Sequence, residues 1–220
     1  SDKTYLQKYG FYDDQPYLDS GAKLEFFGQS SYIVADAHIF QELRESTGVY
    51  SAPDGDILPN IRAVHQTAPL FGETYASFSA DVLGISGDGT SAQRMIGDAR
   101  LTTPWTLWGG NRLTASVSAR YDIYHFNNTE MIDKSMFSGF KDRFLPSGYL
   151  EWGLPLFRPT DNWTQIIEPR ARITIMRELD SETFAYSNDS AGTILTDTVL
   201  FSDNRFSGLD LWENGTYADY

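Results

Sequence analysis

The side chains that could do chemistry are scattered along this chain, and they form no catalytic or metal-binding pattern. The three histidines, His38, His65 and His125, lie far apart in the sequence, and none has a partner at the spacing of a zinc site. The chain has no cysteine, which excludes a thiolate metal site and a disulfide framework within these residues. We therefore expect no metal and no cofactor.

Acidic residues are abundant, but their spacing predicts no active site. Asp13-Asp14, or Glu151 with Glu168, could act as the paired carboxylates of a glycosidase, yet nothing in the sequence fixes their separation. The Gly-x-Ser-x-Gly motif of a serine nucleophile is absent. The glycines between Gly84 and Gly89 are not followed by the Lys-Ser/Thr of a phosphate-binding loop. The sequence predicts that the chain is not an enzyme.

The charged residues that do follow a pattern lie at every second position of predicted strands. Successive side chains of a strand point to opposite faces, so alternating charges share one face. Six such residues project from the polar face: Arg112, Arg120, Asp122, Glu168, Arg170 and Arg172. In a soluble sandwich this face meets bulk water, whereas in a large barrel it lines an aqueous lumen or packs against whatever fills it. The pattern alone leaves both alternatives open.

The best-defined element that positions these charges is the hairpin Leu101–Phe126. It turns at Gly109-Gly110-Asn111, which supplies the positive φ values of a tight turn. Its second arm has an apolar face of small and medium residues, and aromatic side chains gather at the ends of the hairpin. Long strands of this kind are what the wall of an outer-membrane barrel needs. A half-solvated sheet of a soluble protein alternates in the same way.

The same alternation predicts an all-β chain with an antiparallel up-and-down meander, because short turns join most strands to their sequence neighbours. The predicted strands are Tyr17–Phe27, Tyr32–Leu43, Leu58–Gln66, Leu70–Ile85, Arg94–Trp108, Arg112–Phe126, Phe144–Phe157, Trp163–Glu178, Ile194–Phe201 and Phe206–Tyr217. Asn127–Arg143 and Asn188–Gly192 are predicted loops. Pro169 removes one ladder donor, so we expect a bulge or local weakness there. The Asn-x-Ser/Thr sequences at Asn127, Asn162, Asn188 and Asn214 are expected in turns.

Composition narrows the class of protein further. The 220 residues carry a net charge of −13, which argues against nucleic acid as a partner. No apolar run approaches the roughly 18 residues of a membrane-spanning helix, whereas the alternating strands of a barrel dilute the apolar signal. The sequence opens without Met on Ser1 and stops abruptly on Tyr220, so we expect an excerpt from a longer chain.

Two stretches carry a resemblance to a known family. Trp163–Arg172, WTQIIEPRAR, contains Glu168-Pro169-Arg170, and Leu200–Tyr217 contains the aromatic–Ser-Gly–x-Asp core Phe206-Ser207-Gly208-Leu209-Asp210. Together with the early segments Ser1–Leu6 and Tyr17-Leu18, they resemble the barrel of the LptD family, the lipopolysaccharide-assembly or organic-solvent-tolerance proteins. Between these segments the similarity is mainly one of strand pattern.

The resemblance implies transport without covalent chemistry, in the cell outer membrane of a Gram-negative bacterium. Members of the family form a very large barrel plugged by the lipoprotein LptE, and a periplasmic jellyroll domain receives lipopolysaccharide from an LptA-like bridge. The glycolipid leaves sideways between the first and last strands. Residues 1–220 would then be a single segment, an interior part of the C-terminal barrel domain, with the jellyroll domain and gate strands not included. As an isolated fragment it would be an open curved sheet.

The resemblance also gives each face of the sheet a role. Six residues of the apolar face would meet lipid: Phe78, Val82, Leu113, Val117, Ile173 and Ile175. The charged residues of the polar face would face the lumen and meet either the plug or the passing sugar. Two alternatives remain, namely another porin-like channel of the outer membrane and a soluble glycan-binding β-sandwich.

Overall fold

A computed structural model describes residues 17–42, 55–87, 89–160, 163–177, 189–192, 196–213 and 215–220, together with the single residues 9 and 186. Several sequence predictions lie outside the described residues. They concern the segment Ser1–Leu6, the pair Asp13-Asp14, the strand ends Leu43, Glu178 and Ile194, and the Asn-x-Ser/Thr sites at Asn162, Asn188 and Asn214.

The described residues form an antiparallel β-meander. Its strands are β1 (Tyr17–Phe27), β2 (Ser31–Glu42), β3 (Asp56–Gln66), β4 (Tyr75–Gly87), β5 (Thr90–Thr106), β6 (Arg112–Glu130), β7 (Met136–Gly153), β8 (Leu156–Pro159), β9 (Thr164–Ile167), β10 (Arg170–Met176) and β11 (Thr216–Asp219). Nine of these strands make one open sheet in the order β1-β2-β3-β4-β5-β6-β7-β10-β11, and β8 pairs with β9. The predicted all-β class, antiparallel meander and open sheet are confirmed.

The central hairpin β5–β6 follows the sequence pattern closely. The two strands pair from Ser91↔Asn127 to Thr106↔Arg112, and a 3₁₀ turn at Trp108–Gly110 connects them. Gly109 and Gly110 have φ values of 67° and 80°, a left-handed backbone that favours glycine. The turn therefore allows the two longest runs of alternation in this region to pair without a register shift.

The loop predicted over Asn127–Arg143 is wrong. β6 continues to Glu130 and β7 already begins at Met136, so only a short turn lies between them. The alternation of β6 is interrupted because the register shifts between Phe126 and Thr129, with Asn128 at φ 49°. A bulge adds one residue and so reverses the face of every later side chain, which removes a clean period. Asn127 consequently lies in a strand and not in a turn.

The strand predicted over Trp163–Glu178 is two strands. β9 ends at Ile167, β10 begins at Arg170, and the break falls at Glu168-Pro169, which confirms the weakness expected at Pro169. The partner strand is divided in the same way, because β7 ends at Gly153 and β8 begins at Leu156. The pairs Gly153↔Arg170 and Leu156↔Ile167 share one register, so β8–β9 prolongs the β7–β10 hairpin beyond the main sheet.

The strands predicted over Ile194–Phe201 and Phe206–Tyr217 are largely wrong. Asp197–Leu200 is a single helical turn, α1, and β11 covers only Thr216–Asp219. Between them the backbone is irregular except for an isolated bridge between Gly192 and Phe206. Phe201 and Trp212 of this region lie against the guanidinium groups of Arg170 and Arg120. None of the helices in the described part of the chain has the length and apolar character needed to cross a membrane.

Candidate functional site

The two faces of the sheet differ in chemistry. Register alignment puts Arg94, Arg120 and Arg172 on one face, which we call the inner face, and Val117 and Ile175 on the opposite, outer face. We call residues 189–192 and 196–213, which follow β10, the covering segment. This segment packs on the inner face over β5–β7 and β10, where its atoms bond to the strand arginines. The inner-face charges therefore lie between the sheet and the covering segment.

The first charged cluster lies on β6 and β7. The Nε and Nη2 atoms of Arg120 donate to the two oxygens of Asp122 at 2.6 and 2.8 Å, and Arg143 Nε donates to Asp122 Oδ2 at 2.6 Å. All three side chains are buried. Both guanidiniums also donate to the carbonyl oxygen of Leu209, at 2.6 and 3.1 Å, and the Trp212 ring lies 4.2 Å from the guanidinium of Arg120. Both guanidinium groups of this cluster thus bind a backbone dipole of the covering segment, and that of Arg120 also lies on an aromatic face.

The second cluster is centred on Arg94 of β5. Its Nε and Nη2 atoms donate to Asp81 of β4, and its Nη1 donates to Asp189 at 2.6 Å and to Asp210 at 2.8 Å. Tyr124 Oη donates to Asp210 at 3.0 Å. One guanidinium therefore joins the wall to two carboxylates of the covering segment. Removing one member of such a buried set leaves an uncompensated charge, which is far more costly than the net gain of the pair.

The third cluster joins β5, β7 and β10 to the turn after α1. Arg172 donates to the carbonyl oxygen of Phe201 and to Asp203, and Arg100 Nη1 contacts the other oxygen of Asp203 at 2.5 Å. Arg170 bonds Glu151 at 2.6 Å, and its guanidinium lies 4.3 Å from the centre of the Phe201 ring. Asp203 is thus held by arginines from strands that are not neighbours, which fixes where the covering segment crosses the sheet.

The covering segment has its own internal order around Asp189. Asp189 Oδ1 accepts the backbone N–H groups of Leu209 and Asp210 at 3.0 and 3.2 Å, and Ser190 Oγ accepts those of Asp210 and Leu211. Burial opposes ionisation of Asp189, but Arg94 and the Leu209 N–H outweigh it and lower the pKa of its carboxyl to about 2. Asp189 is therefore ionised wherever the segment is docked at neutral pH.

Gly208 makes this close approach possible. It has φ +74°, and a β-carbon placed on it would lie 2.2 Å from the carbonyl oxygen of Asp189. Only glycine satisfies both conditions. The Ser-Gly–x-Asp core noted in the sequence therefore has a physical role, since Gly208 admits the Asp189 backbone and Asp210 then reaches Arg94.

An aromatic cluster borders the charges toward the β6–β7 turn. Tyr124 and Phe126 on the inner face pack with Tyr186, whose ring centre lies 6.0 Å from that of Tyr124 and 4.7 Å from that of Phe126. Ala92 and Met131 complete this buried group. Burial and the nearby Asp210 raise the pKa of Tyr186, so its hydroxyl stays protonated. Apolar packing and ion pairing thus hold the same region of chain.

The structure separates the six predicted polar-face residues. Arg120, Asp122 and Arg172 are buried in the clusters, Arg170 is half-buried beside Glu151, and Arg112 and Glu168 are exposed. On the outer face Phe78, Val117, Ile173 and Ile175 are exposed, whereas Val82 and Leu113 are half-buried.

Sequence reasoning missed several residues of the site. The omitted members are Asp81, Arg94, Arg143, Asp189, Asp203 and Asp210. The predicted strand Arg94–Trp108 begins at Arg94 but gives that residue no partner, and Arg143 falls at the end of the predicted loop Asn127–Arg143. Asp210 stood within a noted motif, but no sequence signal paired it with an arginine 116 positions away.

The histidines lie apart in the structure. His38 bonds Asp19 at 2.9 Å, His65 bonds Ser31 at 2.8 Å, and His125 packs on Phe140. In the part of the chain that the structure describes, no group of three or more His, Cys, Asp or Glu side chains is placed to hold a metal ion.

An antiparallel meander with an exposed apolar face and a buried charged face is typical of outer-membrane β-barrel proteins. The family model described as LptD, LPS transport system D, matches residues 1–220. The chain therefore belongs to the LptD family, outer-membrane proteins of Gram-negative bacteria that act in lipopolysaccharide transport and assembly. No curated protein is significantly similar to the chain.

Proposed function

We propose that residues 1–220 form an interior arc of the barrel wall through which lipopolysaccharide is inserted into the outer leaflet. The observation that carries this proposal is the inverted burial of the two faces. Val117 is 61% exposed and Ile175 is 61% exposed, whereas Arg120 and Asp122 are 2% and 0% exposed. A protein folded for water buries its apolar side chains and solvates its charges, so the opposite arrangement favours a lipid environment for the outer face.

The spacing of aromatic residues on the outer face supports the same role. Trp152 pairs with Leu113 near one end of the β6–β7 ladder, and Phe144 pairs with Tyr121 about halfway along it. The eight residue-to-residue steps from Leu113 to Tyr121 span about 27 Å along the strand. A strand tilt of roughly 40° reduces this to about 21 Å across the membrane, close to the ~25 Å apolar band of such barrels.

The predicted residues acquire defined roles in this proposal. Phe78, Val82, Leu113, Val117, Ile173 and Ile175 face lipid, and all six lie on the outer face. On the lumen side, Arg120, Asp122 and Arg172 hold the covering segment against the wall. Arg120 donates to the carbonyl oxygen of Leu209, and Arg172 donates to Asp203. Asp122 accepts from Arg143, which also donates to the carbonyl oxygen of Leu209. The more exposed Arg112 and Glu168 remain accessible to a plug or to passing sugar, and Arg170 acts with Glu151.

The proposal also assigns partners and excludes covalent chemistry. An LptE-like lipoprotein plugs the lumen, and lipopolysaccharide arrives through a jellyroll domain outside this segment, fed by an LptA-like bridge. The gate strands likewise lie outside residues 1–220. The wall contributes apolar contact on one side and fixed charge on the other, which requires neither a nucleophile nor a cofactor.

Two exposed valines on opposite faces test the proposal. In the full-length protein, Val117→Arg should lower the free energy of unfolding in a bilayer by about 2–4 kcal/mol, because it places a cation in hydrocarbon. Val64, 40% exposed on the inner face, provides the matched control, and Val64→Arg should change stability far less. Equal effects of the two substitutions, measured by urea unfolding in liposomes, would contradict the assignment of faces.

Co-purification distinguishes this role from that of another outer-membrane channel. The full-length protein extracted from outer membranes should carry a small lipoprotein in near-stoichiometric amount, as mass spectrometry of the eluate would detect. A homo-oligomer without a lipoprotein would favour a porin-like channel. Recovery of the chain in the soluble fraction would overturn both assignments and favour the glycan-binding sandwich.

A further inference from the structure

The outer face of β6, β7 and β10 contains an apolar groove. Its volume is about 740 Å³. The floor runs along β7 over Pro146 and Gly148, and Val117 and Ile175 form the two walls because both pair with Gly148. Leu150 and Ile173 close the end nearer the Trp108–Gly110 turn. The groove is one strand wide, which is the width of a single acyl chain.

A single cation lies at the other end of this groove. Arg177 follows Ile175 by two positions, so it lies on the outer face, and its backbone N–H donates to the carbonyl oxygen of Pro146 at 3.3 Å. Its Nη1 donates to the carbonyl oxygen of Phe144 at 3.4 Å, which holds the exposed guanidinium beside the aromatic pair Phe144 and Tyr121. An arginine at an interfacial boundary, directly above an apolar slot, matches a lipid whose phosphate lies at the interface and whose chain lies below it.

The connections of the sheet indicate which leaflet this end meets. The longest connection, residues 177–215, leaves the sheet at the end that carries Arg177, as do residues 43–55 and the short turns 88–89 and 131–135. The opposite end has the turns Gly28–Ser30 and Trp108–Gly110, residues 67–74 and the β8–β9 hairpin, and each of these is shorter than residues 177–215. Outer-membrane barrels have short periplasmic turns and longer extracellular loops. Arg177 therefore lies at the outer leaflet, where the family's phosphate-bearing glycolipid is delivered.

From this geometry we infer a lipid-binding site on the outside of the wall. The groove binds one acyl chain of lipopolysaccharide in the outer leaflet, and Arg177 binds a phosphate of its lipid A portion. The inference rests on the proposed function, because it requires the outer face to lie in lipid. It goes beyond that function, since it concerns a site on the outside of an interior arc, apart from the route of transport.

Photocrosslinking in intact outer membranes tests the site in the full-length protein. A p-benzoylphenylalanine residue replaces Ile175 in the groove wall, or Ile173 where the first variant fails to assemble. The matched control carries the same probe at Val82, an outer-face position on β4 paired with Ile61 and Met95. Lipopolysaccharide adducts are detected by immunoblot, and phospholipid adducts by mass spectrometry. Each probe is tested in three backgrounds, namely the native Arg177, Arg177→Gln and Arg177→Lys.

We expect the groove probe to give more lipopolysaccharide adduct than the Val82 probe. Arg177→Gln should reduce that adduct about fivefold, the usual effect of one cation at a membrane surface, and Arg177→Lys should retain it. Equal labelling at both positions, phospholipid adducts alone at Ile175, or no effect of Arg177→Gln would overturn the inference and leave the proposed function intact. Absence of any lipid adduct at both positions would overturn the proposed function itself.

Discussion

Gly208→Ala is the substitution whose effect on the covering segment can be worked most directly from the structure. The added methyl group would lie 2.2 Å from the carbonyl oxygen of Asp189 and 2.6 Å from its carbonyl carbon and Oδ1. Backbone atoms cannot move aside as a flexible side chain can, so Asp189 must shift as a whole. That shift breaks its 2.6 Å contact with Arg94.

Two costs contribute to the expected effect. Alanine at φ +74° costs about 1–2 kcal/mol in the left-handed region. Forcing a methyl group into occupied space costs typically 1–3 kcal/mol more. We therefore expect the docking of the covering segment to weaken by roughly 2–5 kcal/mol. The sheet itself should keep its stability, because its ladders do not involve Gly208.

Two other glycines separate these costs. Gly215 has φ +86° and Gly192 has no positive φ, and neither has an atom within 4 Å of an added β-carbon. Gly215→Ala therefore carries only backbone strain, and Gly192→Ala carries neither cost. Hydrogen exchange of residues 189–213 in the full-length protein would measure the loss of protection. If Gly208→Ala lost as much protection as Gly215→Ala, the steric argument would be refuted. If it lost no more than Gly192→Ala, both the steric argument and the backbone-strain argument would be refuted.

Two further predictions concern the carboxylates that hold the covering segment. Asp210→Asn should weaken docking by about 1–3 kcal/mol, because an amide cannot accept hydrogen bonds from Arg94, Tyr124 and the Asp189 N–H together. Proteolysis of the covering segment at increasing urea concentration measures the effect, and an unchanged urea dependence would refute it. Docking should also weaken as pH falls from about 4 toward 2. The pKa of Asp189 is lowered from 3.8 to about 2 in the docked state, so the stabilisation by its ionised form is present above the ordinary pKa and is lost as pH falls through the docked one. Asp189→Asn should abolish that pH dependence of hydrogen exchange.

The strands were predictable where one period ran without interruption. β5 and β6 show why, since each alternates over more than a dozen residues and a double-glycine turn joins them. The strand predictions were wrong where a bulge or a proline interrupted the alternation. The bulge after Phe126 interrupted the alternation of β6, and Pro169 divided what the pattern suggested was a single strand.

The covering segment could not be predicted by the same reasoning. Its residues combine apolar and aromatic side chains with turn formers, a composition equally compatible with short strands. The difference lies in long-range contacts, because Asp203 and Asp210 are bonded by arginines of distant strands. A sequence pattern records which face a side chain occupies, but not which distant carboxylate will lie opposite it.

The sequence by itself determined the class of sheet, its order and the chemistry of its two faces. Those properties follow from a period of two, which is local and independent of tertiary contacts. Only the tertiary structure decided that the charged face is covered. Arg94, Arg120 and Arg172 meet backbone and carboxylate groups that lie close in space and far apart in sequence. Such pairings are fixed by the path of the chain across the sheet, because charges leave water only where every partner arrives together.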